Sequence, residues 1–366
     1  MRNLALAMMV SAMGIAAGLA RATTFTVNPG DSIQAVINND ASDGDTIEVK
    51  AGTYDELLTI DKAITLTGED KTTTILTYSG SSVEQQIMLG ANTGLNLTGG
   101  CVIENFTIAN GGMLTGDNDL IKFRAHGDGG QIIIRDNIFD GNGLGDGFGA
   151  AKAIEEAYES DNFVITGNAF DDCAYGIWAN GLQDGEITGN TFSRSTSGAI
   201  GMGGSGSGDA APHDILVAGN TMDGAKYGLV LAENLHDVTF SCNTISNNTF
   251  GGVVHWEFGP ADWSNMEFEN NNIVGNAAGM RGFSDPGAAV PSTLDATMNW
   301  WGDASGPSGV GPGTGDSLQS TDVLFDPWLT APASCQATVI PEPLTMLGVL
   351  AAVAGLGGYL RRRLPV

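Results

Sequence analysis

The chain has 366 residues, 42 of them acidic and 15 basic, for a formal net charge of −27. That excess argues against nucleic acid and anionic lipid as direct partners, since both would repel it. Hydrophobic residues make up 42% of the sequence, enough for a continuous core, which excludes a disordered chain despite 53 glycines.

At the N-terminus, Arg2, an apolar stretch from Leu4 to Leu19 and Ala20-Arg21-Ala22 predict a signal peptide over residues 1–22. Export follows from it. Residues 23–330 then read as one elongated domain. Asp31 with Gln34 predicts a capping box for a short amphipathic helix carrying Ile33, Val36 and Ile37. Such a helix would serve as the lid over the first coil of a stack, whose open strand edges need a cover. Alternation of apolar and polar residues predicts strands at Thr46-Ile47-Glu48-Val49, Ile64-Thr65-Leu66 and Val102-Ile103. Cys101 to Ile108 resembles a degenerate copy, around Asn105, of the units that follow.

Six times between Ile132 and Met280 the chain repeats an apolar strand, an asparagine, and a glycine eight or nine positions later. The asparagines are Asn137, Asn168, Asn190, Asn220, Asn243 and Asn271, spaced by 31, 22, 30, 23 and 28 residues. The glycines are Gly145, Gly176, Gly198, Gly228, Gly252 and Gly279. A short strand precedes each asparagine and another follows it, so the asparagine marks a tight corner; Gly-Asn pairs at 167–168, 189–190 and 219–220 suit the left-handed backbone of such a corner. Stacked at about 4.8 Å, these amides would form a structural ladder. Units of this period predict an all-β solenoid. The glycine opens a third strand, with Ile177, Ala199, Leu229, Val253 and Met280 inward, and Trp178, Ile200, Val230, Val254 and Arg281 outward.

Three residues past the ladder come Asp140, Asp171, Ser193, Asp223, Ser246 and Val274, and one further Asp172 and Arg194. Stacking would bring Asp140 and Asp171 side by side with Arg194 on the next coil. Paired carboxylates at that separation share a proton or hold a hard cation such as Ca²⁺, and an arginine suits a uronate; the alternative is a row of solvated turn residues. Trp178 and Arg281 are the candidate sugar contacts, unless the loop 201–214 covers them. The four histidines share no column. Cys101, Cys173, Cys242 and Cys335 allow three pairings in an exported chain, and no C-x-x-C motif supports a metal or redox centre. Asn299-Trp300-Trp301-Gly302 and Asp326-Pro327-Trp328 predict the C-terminal cover of the stack. A linker, 331–340, leads to Pro341-Glu342-Pro343, the mostly apolar Leu344 to Leu360 and Arg361-Arg362-Arg363, a hydrophobic helix with a basic flank.

Residues 341–366 closely resemble the PEP-CTERM sorting signal of Gram-negative bacteria. That resemblance implies transient membrane insertion of the tail, processing by an exosortase, and delivery to the cell surface or exopolysaccharide matrix. Val27-Asn28-Pro29-Gly30-Asp31-Ser32-Ile33-Gln34, Gly44-Asp45-Thr46-Ile47 with Ala51-Gly52-Thr53-Tyr54, and Asn299-Trp300-Trp301-Gly302 with Asp326-Pro327-Trp328 carry a second resemblance. Together with the repeats they are similar to the right-handed, single-stranded parallel β-helix proteins of the pectate-lyase-like superfamily. The superfamily includes lyases, hydrolases, esterases, epimerases and proteins with no known catalysis, so the resemblance implies a fold more than an activity. The aspartate-arginine motifs of its esterases and the clustered Ca²⁺-binding aspartates of its lyases have no counterpart here, and Gly203-Gly204-Ser205-Gly206-Ser207-Gly208 misses the G-G-x-G-x-D nonapeptide by one residue. The expectation is therefore an exported cell-surface or matrix β-helix that binds polysaccharide or neighbouring surface components, without a catalytic motif. The alternative is a uronate lyase or related enzyme using Asp140, Asp171, Asp223 and Arg194.

Overall fold

Each turn of the chain lays down three short strands; Asp161–Thr166, Ala169–Asp171 and Tyr175–Ala179 form one turn before the next begins at Gln183. The computed structural model describes residues 22–80, 85–90, 100–112, 119–123, 130–142, 145, 151–156, 160–203, 211–256 and 263–335. The predicted signal peptide up to residue 21, most of the glycine-rich loop, the Pro341-Glu342-Pro343 triplet and the predicted hydrophobic helix lie outside them. Among the described residues the strands assemble into three sheets of twelve, nine and eleven members, here the first, second and third, named in the order the chain visits them. Neighbours in each sheet are parallel and come from successive turns, so the architecture is a parallel β-helix. Among the described residues the one helix is Ile33–Asn39, and none is long and apolar enough to cross a membrane.

The core is a set of stacked columns. Ile121, Ile154, Ile177, Ile200, Leu229, Val253 and Met280 align on the inside of the third sheet and are buried. On the inside of the second, Phe139, Phe170 and Phe192 stack with ring centroids 4.7 and 4.6 Å apart, the strand spacing itself. The predicted inward residue Ala199 is buried in the core but does not align with Ile177: Gly198 pairs with Tyr175 and Ile200 with Ile177. The corner between second and third sheets holds three residues in one coil (Asp172 to Ala174) and four in the next (Arg194 to Ser197), so a fixed count from the asparagine slips.

The ladder is present and longer than expected. Asn220 Oδ1 accepts from both the backbone N–H and the Nδ2 of Asn190, at 2.9 and 3.0 Å, while Asn220 Nδ2 donates to Ile187 O at 2.8 Å and to Asn243 Oδ1 at 3.0 Å. The same pattern runs from Asn137 to Asn271 and ends at Asn299, whose Oδ1 accepts from Asn271. All seven asparagines are buried. The left-handed residue is the one before the ladder position: Gly167, Gly189, Gly219, Asp136, Cys242 and Asn270 have φ between 55° and 65°. Asn105 belongs to that class, φ 63°, and Phe106 takes the ladder position, its N–H donating to Asn137 Oδ1 at 3.0 Å.

The ends are closed as predicted, with different details. Ser32, not Asp31, caps the helix, accepting from the Ala35 N–H at 3.1 Å, and Glu56 of a later coil accepts from the N–H groups of Ile33 and Gln34. Ile33 and Ile37 are buried over the first coil. At the other end Trp301 is fully buried, and the Trp328 ring packs partly on the core with its Nε1 donating to Ala304 O. Two histidines do share a column: His213 pairs with His236 in the first sheet, their rings stacked at 4.8 Å. Cys242 and Cys335 form a disulfide, and Cys101 and Cys173 are buried thiols whose pKa values burial pushes upward.

Candidate functional site

On the third sheet the outward positions fall three residues apart rather than two. Gly176 faces inward, where a Cβ would overlap the Phe192 ring, and Ile177 also enters the core, leaving Tyr175 and Trp178 outside. The outer face therefore carries two columns. One reads Lys122, Glu155, Trp178, Gly201, Val230, Val254, Arg281 in register. Beside it run Lys152, Tyr175, Gly198, Tyr227 and Gly251.

Two strands in from the N-terminal edge of this sheet, its outer face carries a compact charged cluster. Lys122 Nζ lies 2.5 Å from Glu155 Oε2 and 3.2 Å from Asp119 Oδ2; Lys152 Nζ lies 2.8 Å from Glu155 Oε1, and the Lys152 N–H donates to Asp119 Oδ1 at 2.8 Å. All four residues are buried. Burial, reinforced by the hydrogen bond with Glu155 and its charge, lifts the Asp119 carboxyl to about 8. Burial opposes the ionised form of Glu155 too, but the Asp119 proton and the two lysines outweigh it and hold its pKa below the ordinary value. Lys122 is likewise held charged against burial by Glu155 and Asp119. The opposite directions of the two carboxyl shifts place the proton of the Asp119–Glu155 pair on Asp119, with the lysines against Glu155.

Toward the C-terminus the same face becomes aromatic. Tyr175 and Trp178 meet edge to face at 5.0 Å, and Gly198 and Gly201 on the next coil leave room for them; a Cβ at Gly201 would overlap the Trp178 ring. Tyr227, Val230 and Val254 are buried beneath the partly buried Trp178, Phe250, Trp256 and Phe283. Trp256 and Phe283 stack in parallel at 4.8 Å, and the Arg281 guanidinium lies over Phe250 at 4.1 Å. Lys226 Nζ is 5.1 Å from the Tyr227 centroid. Lys122 and Arg281 are on the first and last of seven consecutive strands, six spacings or about 29 Å apart.

The sequence-predicted acidic residues lie on the neighbouring, second sheet. Asp140, Asp171, Ser193, Asp223, Ser246 and Val274 do align there. Arg194 Nε donates to Asp171 Oδ1 at 2.8 Å, with a second contact from Nη2 to Oδ2, and Ser193 Oγ also bonds Asp171; these hold its pKa down. Asp223 accepts from Ser246 Oγ and Asn247 Nδ2. Among the described residues no three histidine, cysteine or carboxylate side chains converge as a metal site. Trp178 and Arg281 are on the third sheet's outer face as expected, whereas Ile200 points inward and Gly201 takes its place. Asp119, Lys122, Lys152 and Glu155 escaped the sequence reading. Their signal is an Asp-x-x-Lys on one strand and a Lys-x-x-Glu on the next, charges flanking Leu120-Ile121 and Ala153-Ile154.

A family model described as the right handed beta helix region matches residues 152–286. The A-module of a mannuronan C-5 epimerase from Azotobacter vinelandii superposes on 80% of the chain and 79% of its own length, with a TM-score of 0.52 and 14% identity. The fold is a right-handed parallel β-helix. A family 28 exopolygalacturonase of Yersinia enterocolitica shares 13% identity over 86% of this β-helix chain and 77% of its own, with a TM-score of 0.42. None of the curated proteins matches the sequence. At such identities the likeness concerns the fold of the β-helix.

Proposed function

We propose that the protein is an exported component of the cell surface or exopolysaccharide matrix, and that it binds an anionic polysaccharide along the outer face of the third sheet. One observation carries the reading. A chain of net charge −27 sets the half-buried Lys226 and Arg281 against aromatic rings on a single face, with the buried, ion-paired Lys122 and Lys152 farther along it. Rings offer their faces to sugars, and Lys226 and Arg281 offer charge-assisted hydrogen bonds to uronate carboxylates. The sorting tail supports the location, with an exosortase as processing partner. Mass spectrometry of surface protein retaining Leu344 to Val366 in a host with that protease would sink the sorting part.

A second reading, a polysaccharide-active enzyme, is favoured by two carboxyl groups held on one lysine, Lys122 Nζ lying 3.2 Å from Asp119 and 2.5 Å from Glu155, in surroundings that push the first pKa up and the second down. This pair is a place to look for catalysis beside Asp140, Asp171, Asp223 and Arg194. Calorimetric titration with acidic and neutral polymers, with and without Ca²⁺, tests the binding. The expected result is salt-sensitive binding of acidic polymers only, reduced about tenfold in Trp178→Ala, as for a central aromatic contact. No binding of any acidic polymer, or an unchanged affinity in the variant, overturns the assignment of this face. Unsaturated products that form with the native protein and vanish in Glu155→Gln would establish the enzyme.

A further inference from the structure

After the last coil the chain does not leave along the axis. It turns back and runs over the corners between first and second sheets: the Leu329 N–H donates to Asn299 O at 3.0 Å, Ala333 and Asn272 exchange two hydrogen bonds at 2.8 and 3.3 Å, and Cys335 is joined to Cys242. Three successive coils, those of Asn299, Asn271 and Asn243, are bridged by seven residues. Cys242 stands at the left-handed corner that Gly167, Gly189 and Gly219 occupy in other coils, at φ 59°. A residue with a side chain is disfavoured there, and its outward direction is what the bridge uses.

We propose that Cys242–Cys335 is a redox-closed staple, shut by a disulfide donor of an oxidising compartment, that binds residues 329–335 as a strap and makes the Cys242 coil the point where the C-terminal tail leaves the domain. Closure forms one S–S bond: the Cys335 thiolate attacks the donor disulfide, a donor thiol leaves, and the Cys242 thiolate then displaces the second donor thiol from Cys335. The two protein thiols lose two protons and two electrons, and the donor disulfide is reduced to a dithiol. Exposed Cys335 can meet such a donor, while Cys101 and Cys173, buried and held protonated, cannot compete for it. Pull applied to the tail then reaches the side of the stack through a covalent bond instead of peeling off the Trp328 cover. The compartment rests on the export reading; the strap does not, and the experiment addresses the strap with purified protein, so one can fail without the other.

Limited proteolysis of the full chain, with and without reductant, reads the strap directly. Reduction should speed cleavage within residues 329–340 by about tenfold, the expected effect of releasing a locally anchored segment, while circular dichroism keeps its β signal. Cys335→Ser without reductant should behave as the reduced native protein. Thiol labelling under native, reduced conditions should modify Cys242 and Cys335 and spare Cys101 and Cys173. Equal cleavage in the oxidised and reduced protein overturns the strap, and native labelling of Cys101 or Cys173 overturns the exclusive pairing. Should the variant fail to fold, reduction of the native chain still decides.

Discussion

Asp119 and His255 are both buried ionisable side chains, and their effects on stability run in opposite directions with pH. Asp119 holds its proton to about 8, whereas the unfolded carboxyl releases it near 3.8. The native state therefore binds the extra proton between those values, and the stability Asp119 contributes is full below about 4 and lost as pH rises toward about 8. His255 lies inside the third sheet with Nε2 2.7 Å from Ser320 Oγ, and burial lowers its pKa to about 4. Below 6.5 the unfolded imidazole takes a proton that the native one refuses, so that contribution is lost as pH falls from 6.5 toward about 4. Between about 6.5 and 8 only the first of these two slopes operates. Asp119→Asn keeps a donor for Glu155 and removes the titration. Its melting temperature should fall less steeply with pH across that window than the native protein's; identical slopes would mean that Asp119 ionises normally.

The corner between first and second sheets is the best specified element. Asn220→Leu would leave the Asn190 N–H, the Asn190 amide and the Ile187 carbonyl short of a partner in a buried site, a cost on the order of 3 kcal/mol or more. Urea unfolding checks it, and a loss below 1 kcal/mol, roughly the net worth of one ordinary hydrogen bond, would show that the ladder is dispensable. This corner was legible in the sequence because, from Asp136-Asn137 to Asn270-Asn271, it spans two residues in every coil and the second is asparagine, whereas the earlier corners at Lys50-Ala51 and Glu69 to Thr73 lack that mark. The corner between second and third sheets varies in length, three residues after Asp171, four after Ser193 and five after Val274, so the same reasoning misplaced Gly198 and Ile200. The third sheet's outward residues were missed for a related reason. Gly176 and Ile177 both turn inward, so the outward spacing becomes three, and a period-two reading cannot pair Asp119 with Lys122 or Lys152 with Glu155. The histidine column was missed because the insertions before His213 and His236 differ in length, which hides their alignment.

At the scale of the whole molecule, stability is a sum over coils and the interfaces between neighbours, with a helix closing one end and tryptophans the other. That arrangement predicts that a complete coil can be removed if both corners remain in phase. Deleting Asn190 to Gly219 joins Gly189 to Asn220, which restores a Gly-Asn corner and brings Asn168 against Asn220 in the ladder. The first-sheet strand Gln183–Thr188 would then pair with His236–Ser241, both six residues long. The outer face of the third sheet does not heal in the same way. Gly198 and Gly201 are lost with the coil, and the Tyr175 and Trp178 rings that rest above them would be pressed against Tyr227 and Val230. The shortened chain should melt cooperatively with a β-type circular dichroism spectrum while its affinity for acidic polymer drops well below that of the full chain. Insoluble or non-cooperatively melting protein would show that the coils depend on more than their neighbours, and undiminished affinity would place the polymer on another face.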